Sequence, residues 1–350
     1  MENDDLVAAL ESEGLKEIGL INSALERIDN GEFGFCQQCG ENIGQEQCEM
    51  KSLNRIMVVI DANEDFSSAP DGLPIELRKA LRLIPDKAGT EIKLISVGYE
   101  RYLSSSFRSI GYDYIKMKQE YLQRLGQTME DLVADLCQDG YKITCETGWA
   151  HPRYELIVEM AQEFGADLLI QHCRPNAQIE HFHLTHDSWE LVRHCPVPLL
   201  LVKDRNWGDK VTMMAAVDPL HDHNKPLNLD DDILHAANVI ATATGGEFHA
   251  VHAYAGAARP FAAADKVKQE HESAFNELMS KHGIDEAHQH LLDESPIDAL
   301  KHYGEQINSD MVIMGAISRS RIVEALIGST AEGVLDYIKT DILIVKPTES

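Results

Sequence analysis

The 350-residue sequence has few cationic side chains for its size, and this shortage excludes several classes of partner. Lys and Arg together number 31 against 58 Asp and Glu, which gives a formal net charge of −27 at pH 7. Contacts with nucleic-acid phosphates and with anionic lipid surfaces need Lys and Arg. The charge balance therefore predicts neither direct nucleic-acid binding nor membrane binding, and we interpret the acidic excess as a contribution to solubility.

Long apolar runs and a disulfide pattern are also missing. No stretch reaches the roughly 18 apolar residues of a membrane span, and the start, Met-Glu-Asn-Asp-Asp, lacks the basic and apolar regions of a signal peptide. Apart from three cysteines near the N-terminus, the other four of the seven are scattered. The sequence predicts a cytoplasmic protein with reduced thiols.

The most informative feature that is present is an internal repeat. Residues 166–203 align without a gap on residues 309–346, at a constant offset of 143 positions. We call residues 53–206 the first repeat and residues 207–350 the second repeat. Within the aligned region the second repeat reads Gly315-Ala-Ile-Ser318, nine residues, and then Gly328-Ser329. The first repeat has other residues at the four aligned positions, namely His172, Pro175, Thr185 and His186.

Apolar runs that alternate with helical patterns predict an α/β fold with two tandem Rossmann-like parallel-sheet domains. The ten predicted strands lie at 55–60, 91–97, 142–148, 167–171, 199–202, 211–217, 247–253, 288–292, 311–315 and 342–346. The fifth strands contain the apolar runs 199–202 and 342–345, which would leave exposed apolar sheet edges. We therefore expect the two repeats to pack as an intramolecular pseudo-dimer through these strands.

Residues 1–52 differ from the rest and predict a small helix followed by a metal-binding knuckle. Ile18, Ile21, Leu25 and Ile28 have helical spacing, and Cys36-Gln-Gln-Cys39-Gly40 could present two thiolates to one zinc ion, with Cys48 as a third ligand. A fourth ligand would have to be water, another chain or another side chain, and the alternative is a relic finger that only packs on the body. The segment from Ala24 to Ile43 resembles the finger of the DksA/TraR family, although Lys51 stands where a fourth cysteine belongs.

A candidate anion site is predicted at the carboxyl ends of the strands in the second repeat. Asp218 follows the first strand and Gly315 leaves the fourth, and parallel sheets bind ligands at this edge. Backbone amides at Gly328, followed by a helix start at Ser329 or Thr330, would form a cradle for phosphate.

These residues carry a resemblance to the universal stress protein family over roughly residues 54–347. Its ATP-binding members show Gly-x-x-Gly, nine residues, and then Gly-(Ser/Thr). The resemblance implies that Asp218 would contact adenosine and that the Ala253 backbone would contact the base. It also implies that Gly315, Gly328 and Ser329 would surround the phosphates, with Thr330 beside them. Ser318 stands where the family has its second glycine, so a loop that merely closes the fold is the alternative.

The first repeat keeps an acid, Asp61, after its first strand but has lost the small residues of the loop. We therefore expect no ATP there. The loop has His181, His183 and His186, which could bind a transition metal, although a solvated loop is the favoured interpretation.

No catalytic motif is recognisable, so catalysis is not predicted, although slow ATP hydrolysis is left open. The resemblance to the universal stress protein family implies binding and signalling in the stress response. The alternatives are a regulatory protein that docks to a partner such as RNA polymerase through residues 1–52, and a carrier of a small apolar ligand. A homodimer is also left open.

Overall fold

The computed structural model describes residues 53–99 except 65, 68, 70, 85 and 88, together with 114–173, 185–220, 228–255, 264–315, 333–335 and 338–346. The finger predicted at residues 1–52 lies outside the described residues, and so do its ligands Cys36, Cys39 and Cys48. The loop residues Ser318, Gly328, Ser329 and Thr330 also lie outside them, as do His181 and His183.

All ten predicted strands are present, and each of their ends lies within one residue of the predicted position. In the first repeat they are β1 (Arg55–Val59), β2 (Glu91–Gly98), β3 (Lys142–Trp149), β4 (Leu168–His172) and β5 (Leu199–Val202). In the second repeat they are β6 (Thr212–Ala216), β7 (Glu247–Ala253), β8 (Gln289–Leu292), β9 (Met311–Gly315) and β10 (Asp341–Val345). The strand positions are predictable because strands covered on both faces have continuous apolar sequences.

Helices connect the strands, as the alternating pattern predicts. They are α1 (Ile75–Arg82), α2 (Tyr114–Gln138), α3 (Arg153–Phe164), α4 (His186–His194), α5 (Leu229–Thr244), α6 (Ala264–His282) and α7 (Pro296–Gln306), with a short 3-10 helix at Glu286–His288. Among the described residues, no helix has the length and apolar character needed to cross a membrane.

The strands form one ten-stranded sheet in the order β3-β2-β1-β4-β5-β10-β9-β6-β7-β8. Neighbouring strands within each repeat are parallel, whereas β5 and β10 pair antiparallel in the middle. Leu200 lies opposite Leu343, its own counterpart at the repeat offset of 143. The predicted contact between the fifth strands is therefore confirmed, and an approximate twofold axis passes through this pair of leucines.

Two lysines reinforce this junction from opposite sides. Lys203 and Lys346 are equivalent at the repeat offset, and each follows the fifth strand of its repeat. The Lys203 ammonium donates to the carbonyl oxygen of Ile338, and the Lys346 ammonium donates to that of Val192 near the end of α4. The Val192 carbonyl lies in the last turn of α4, where carbonyls lack intrahelical donors and carry partial negative charge. A lysine from each repeat thus satisfies carbonyls in the other.

A buried ion pair breaks the symmetry of the junction. Lys79 on α1 and Asp341 on β10 are 3% and 1% exposed, and the ammonium lies 2.9 and 2.8 Å from the two carboxylate oxygens. Asp341 also accepts from the Lys203 backbone N–H and from the Trp207 indole N–H, each at 2.8 Å. The counterpart of Asp341 in the first repeat is Pro198, so only one half supplies the buried carboxylate.

The segment that connects the repeats is held to α1 by hydrogen bonds. Arg82 donates to the carbonyl oxygens of Trp207, Gly208 and Asp209, at 3.1, 2.8 and 3.1 Å. Arg78 donates to the Asn206 side chain at 3.1 Å. The segment between the repeats is therefore fixed to α1 by hydrogen bonds.

Candidate functional site

The sheet brings three of the predicted site residues to one edge. Ala216, at the end of β6, pairs with Val251 on β7 and with Met314 on β9. Ala253 and Gly315 therefore end the two strands that flank β6, and Asp218 lies two residues beyond the end of β6. The structure thus places these three residues at the edge where parallel sheets bind ligands.

Asp218 is half-buried and has an unused carboxylate. Its backbone N–H donates to the Asp230 carboxylate at 3.0 Å. Within the part of the chain that the structure describes, the Asp218 carboxylate has no hydrogen-bond or ion-pair partner. Because an ionised carboxylate accepts several hydrogen bonds, this group could receive the hydroxyls of a ligand.

The equivalent acid of the first repeat has a structural role instead. The Asp61 carboxylate accepts from the backbone N–H of Asn63 at 3.1 Å and from its side-chain amide at 3.2 Å. The same amide lies 2.8 Å from the Tyr121 hydroxyl. Such a local bond stabilises a turn. The Asp61 carboxylate therefore already accepts hydrogen bonds within its own turn, whereas the Asp218 carboxylate has no partner among the described residues.

The residues that replace the glycine loop in the first repeat also have local partners. The His172 imidazole, at the position of Gly315, lies 2.8 Å from the Asp204 carboxylate. Thr185 is the N-cap of α4, and its hydroxyl accepts from the Ser188 backbone N–H at 3.2 Å. Capping satisfies an N–H that the helix itself leaves without a partner. His172 and Thr185 therefore have local structural partners in the first repeat.

An aromatic cluster, not recognised in the sequence, packs at the carboxyl ends of β2 and β3. The Tyr99 ring stacks on His151 with centroids 4.1 Å apart, and the Tyr121 ring meets Trp149 edge-on at 5.6 Å. Tyr121 approaches so closely that a Cβ at Gly98 would lie 2.6 Å from its ring. The two tyrosines come from different elements, so their proximity depends on tertiary structure.

Two buried histidines beside Asp218 were also missed. His252, on β7, lies 3.0 Å through Nδ1 from the Val217 carbonyl oxygen. Its Nε2 lies 2.7 Å from Nδ1 of His271, on α6. Their exposed fractions are 1% and 4%. The only sequence signal was a histidine within the apolar run that forms β7.

Comparison with known proteins identifies the family. The model described as the universal stress protein family matches residues 53–203 and 230–346, which is well over half of the chain. The chain belongs to the universal stress protein family. The Universal stress protein E of Escherichia coli K12 is 25% identical over 315 residues, which cover 86% of this chain and 96% of the relative. A Haemophilus influenzae homologue of that protein is 24% identical over 320 residues, covering 86% and 99%.

Solved structures agree on the fold. A protein from Pseudomonas aeruginosa UCBPP-PA14, assigned to the universal stress proteins, superposes with a TM-score of 0.65. The match covers 85% of this chain and 95% of that one at 22% sequence identity. The tandem arrangement of two universal stress protein domains, predicted from the repeat, is therefore confirmed.

Gly315 of this universal stress protein is constrained by packing as well as by its place at the site. A Cβ there would lie 2.5 Å from the Leu229 side chain, which is buried at the start of α5. We expect Gly315→Ala to lower the free energy of unfolding by about 1–3 kcal/mol, as overpacked cores do. Urea denaturation measures this. Adding Leu229→Ala should relieve the clash, so a double variant that is less stable than additivity predicts would contradict the assignment.

The described residues offer no metal site, and two of their thiols are poor nucleophiles. Among them, no group of three His, Cys, Asp or Glu residues is arranged to hold a metal ion. The four described cysteines are free thiols, as predicted. Burial raises the pKa of Cys173 to about 12 and that of Cys145 to about 11. Both remain protonated at neutral pH and are poor nucleophiles.

Proposed function

We propose that this universal stress protein is a non-catalytic binding protein of the stress response that takes an adenine nucleotide in its second repeat. The observation that carries the proposal is the Asp218 carboxylate, which has no hydrogen-bond or ion-pair partner among the described residues. It lies at the carboxyl edge of the sheet, where parallel folds bind ligands. The matched acid of the first repeat, Asp61, is occupied by Asn63.

Each site residue has a role that its chemistry supports. Asp218 would accept hydrogen bonds from the adenosine hydroxyls, and the backbone at Ala253 would contact the base. The phosphates would lie against Gly315 and the loop beyond it. The further residues assigned to the phosphates are Ser318, Gly328, Ser329 and Thr330, whose backbone amides and hydroxyls are suitable donors.

The first repeat would serve as a structural partner that binds no nucleotide. His172 and Thr185, which replace the first and third glycines of the loop pattern, are engaged with Asp204 and Ser188. Neither side chain leaves the open backbone that close approach to phosphate requires. One nucleotide per chain is the expected ratio.

Isothermal titration with ATP tests the proposal through a matched pair of variants. Asp218→Asn replaces a charged acceptor, and a hydrogen bond to a charged group contributes about 1.5–3 kcal/mol. We expect its affinity for ATP to fall by roughly 10- to 100-fold. Asp61→Asn removes the equivalent acid of the first repeat and should bind ATP as the unchanged protein does.

Two results would contradict the assignment. The first is an unchanged protein that releases no heat with ATP at millimolar concentration. The second is equal weakening by the two substitutions, which would show that the effect is not local to the second repeat. Assaying the same samples for released phosphate separates binding from the slow hydrolysis that the sequence left open.

The same proposal includes the finer expectations from the sequence. Residues 1–52 would hold Zn²⁺ through Cys36, Cys39 and Cys48 and would offer a surface to a protein partner. Docking to RNA polymerase through this module, a homodimer, a small apolar ligand and a cytoplasmic location remain predictions from the sequence.

A further inference from the structure

One peptide group at the candidate site is held from both sides. The carbonyl oxygen of Val217 and the N–H of Asp218 belong to the same planar unit. Nδ1 of His252 lies 3.0 Å from that oxygen, and the Asp230 carboxylate accepts from that N–H at 3.0 Å. His252 and Asp230 are both buried, at 1% and 2% exposure. The orientation of this peptide plane is therefore fixed by two side chains from different elements, β7 and α5.

The chemistry of the partners assigns the tautomer of each histidine. A carbonyl oxygen only accepts, so Nδ1 of His252 must carry the proton. In the neutral ring, Nε2 of His252 is then an acceptor, and Nδ1–H of His271 must donate to it across 2.7 Å. Burial lowers the pKa of His252, which favours this neutral form. His271 thus keeps His252 in the tautomer that donates to Val217.

Aromatic contacts hold both rings in place. The Phe275 ring stacks on His252 with centroids 5.9 Å apart, and the Tyr254 ring stacks on His271 at 5.3 Å. His271 and Phe275 both lie on α6, so the helix presents one hydrogen bond and one ring face to the end of β7. A side chain held on several sides loses little further entropy on making its hydrogen bond.

We propose that His252 is a positioning residue for Asp218, with His271 fixing its tautomer and Asp230 holding the other end of the peptide group. This role rests on the proposed nucleotide site, because it concerns the residues that orient the Asp218 side chain there. Fixing the plane between residues 217 and 218 fixes the rotations on either side of it, and hence the direction in which the Asp218 side chain leaves the backbone.

The first repeat provides a natural comparison. Ile60 and Val217 make the same backbone bond, to Ile95 and Val251 respectively, so Ser96 occupies the place of His252. The Ser96 hydroxyl instead accepts from the Ala62 N–H at 3.4 Å, one residue beyond the equivalent acid. With this different arrangement, the Asp61 carboxylate is bonded within its own turn. We call the contacts of His252 and Asp230 with this peptide group the clamp. The clamp and the available Asp218 carboxylate thus occur together in the second repeat.

A pair of substitutions at residue 252 separates positioning from general packing. The side-chain N–H₂ of Asn can reach the place of Nδ1, so His252→Asn keeps a donor for Val217, whereas His252→Leu has none. Both remove the bond to His271. We expect His252→Leu to weaken ATP binding by about five- to tenfold, as loss of one net hydrogen bond implies, and His252→Asn to recover most of it.

A second readout works without any nucleotide. Hydrogen exchange of the Asp218 amide in the full chain reports whether its bond to Asp230 persists. Exchange should accelerate in His252→Leu and stay slow in His252→Asn. In His252→Leu we expect an unprotected Asp218 amide even if the unchanged protein binds no ATP. In that case the proposed function fails and the clamp stands.

Three outcomes would overturn the clamp. They are an Asp218 amide that stays protected in His252→Leu, equal exchange in the two variants at residue 252, and equal loss of ATP affinity in both. If His252→Leu does not fold, His271→Phe is the alternative, because it keeps a ring beside Tyr254 but removes the tautomer-fixing donor. Its Asp218 amide should exchange faster than in the unchanged protein, and unaltered exchange would refute the proposal.

Discussion

Lys79→Met is expected to lower the free energy of unfolding by about 3–5 kcal/mol, because it leaves the buried carboxylate of Asp341 without its counter-charge. Both side chains are almost wholly buried, and all three N–H groups of the ammonium are used: two by Asp341 and one by the Lys203 carbonyl oxygen at 2.9 Å. Burial lowers the pKa of Lys79 and raises that of Asp341, while their contact opposes both shifts. Removing one partner removes that opposition.

A second substitution shows whether the lost stability comes from the stranded charge. Lys79→Met with Asp341→Asn leaves no buried charge, and the Asn oxygen can still accept from Lys203 N–H or from the Trp207 indole. We expect the double variant to recover to within about 2 kcal/mol of the unchanged protein. Lys93→Met is the control, because Lys93 pairs with the partly exposed Glu146 and should cost less than about 1 kcal/mol.

Urea denaturation of the full chain provides the measurement. A Lys79→Met variant that loses no more stability than Lys93→Met would contradict the description of the junction. A double variant no more stable than Lys79→Met would instead show that the loss comes from the ammonium's hydrogen bond to the Lys203 carbonyl and its packing, and not from charge.

Acidification should destabilise the second repeat through histidines that the fold keeps neutral. Burial lowers the pKa of His290 to about 4, and the charges of His249 and His288 add to the effect. Burial also lowers the pKa of His249 and of His252. Unfolded histidine titrates near 6.5, so below that pH the unfolded chain binds protons that the folded chain does not. The contribution of these neutral histidines to the free energy of unfolding is therefore fully present above about pH 6.5, and it is lost as the pH falls towards 4.

His290→Gln isolates one contribution. His290 lies 2.6 Å through Nε2 from the Tyr303 hydroxyl and 2.9 Å from Nδ1 of His249, and a Gln oxygen can replace it as an acceptor without titrating. We expect the fall in unfolding free energy between pH 6.5 and 4 to be smaller in this variant by about 1–2 kcal/mol, after allowing for solvent contact.

Urea midpoints at several pH values measure the difference. His302→Gln serves as the control, because the His302 side chain is 61% exposed in the fold. An identical pH dependence of stability in His290→Gln and in the unchanged protein would contradict the assignment of His290 as a buried neutral base.

The fold could be predicted because its determinants are local. Strand β5 is a continuous apolar run, as is β10 after its first residue, Asp341, and a constant repeat offset places the two strands at equivalent positions. Because an apolar sheet edge must be covered, the apolar sequences of the two fifth strands predicted that these strands would pair. The family resemblance added an expected role for Asp218, the acid that follows β6.

The interactions that distinguish the two repeats could not be predicted, since most of them join residues far apart in the sequence. Lys79 and Asp341 are 262 positions apart, and the repeat hides their contact because Pro198 is the counterpart of Asp341. His252 reads as an ordinary core residue of β7 until α6 brings His271 to it. Likewise, Asp61 and Asp218 look equivalent in the sequence, and only their hydrogen-bond partners distinguish them.

We expect duplication to have left one nucleotide site per chain, in the second repeat. Native mass spectrometry of the full chain with ATP counts bound nucleotides directly. We predict one ATP per chain in the unchanged protein and in Asp61→Asn, and a large loss of the bound form in Asp218→Asn. Two nucleotides per chain, none at millimolar ATP, or one that persists undiminished in Asp218→Asn would contradict the account.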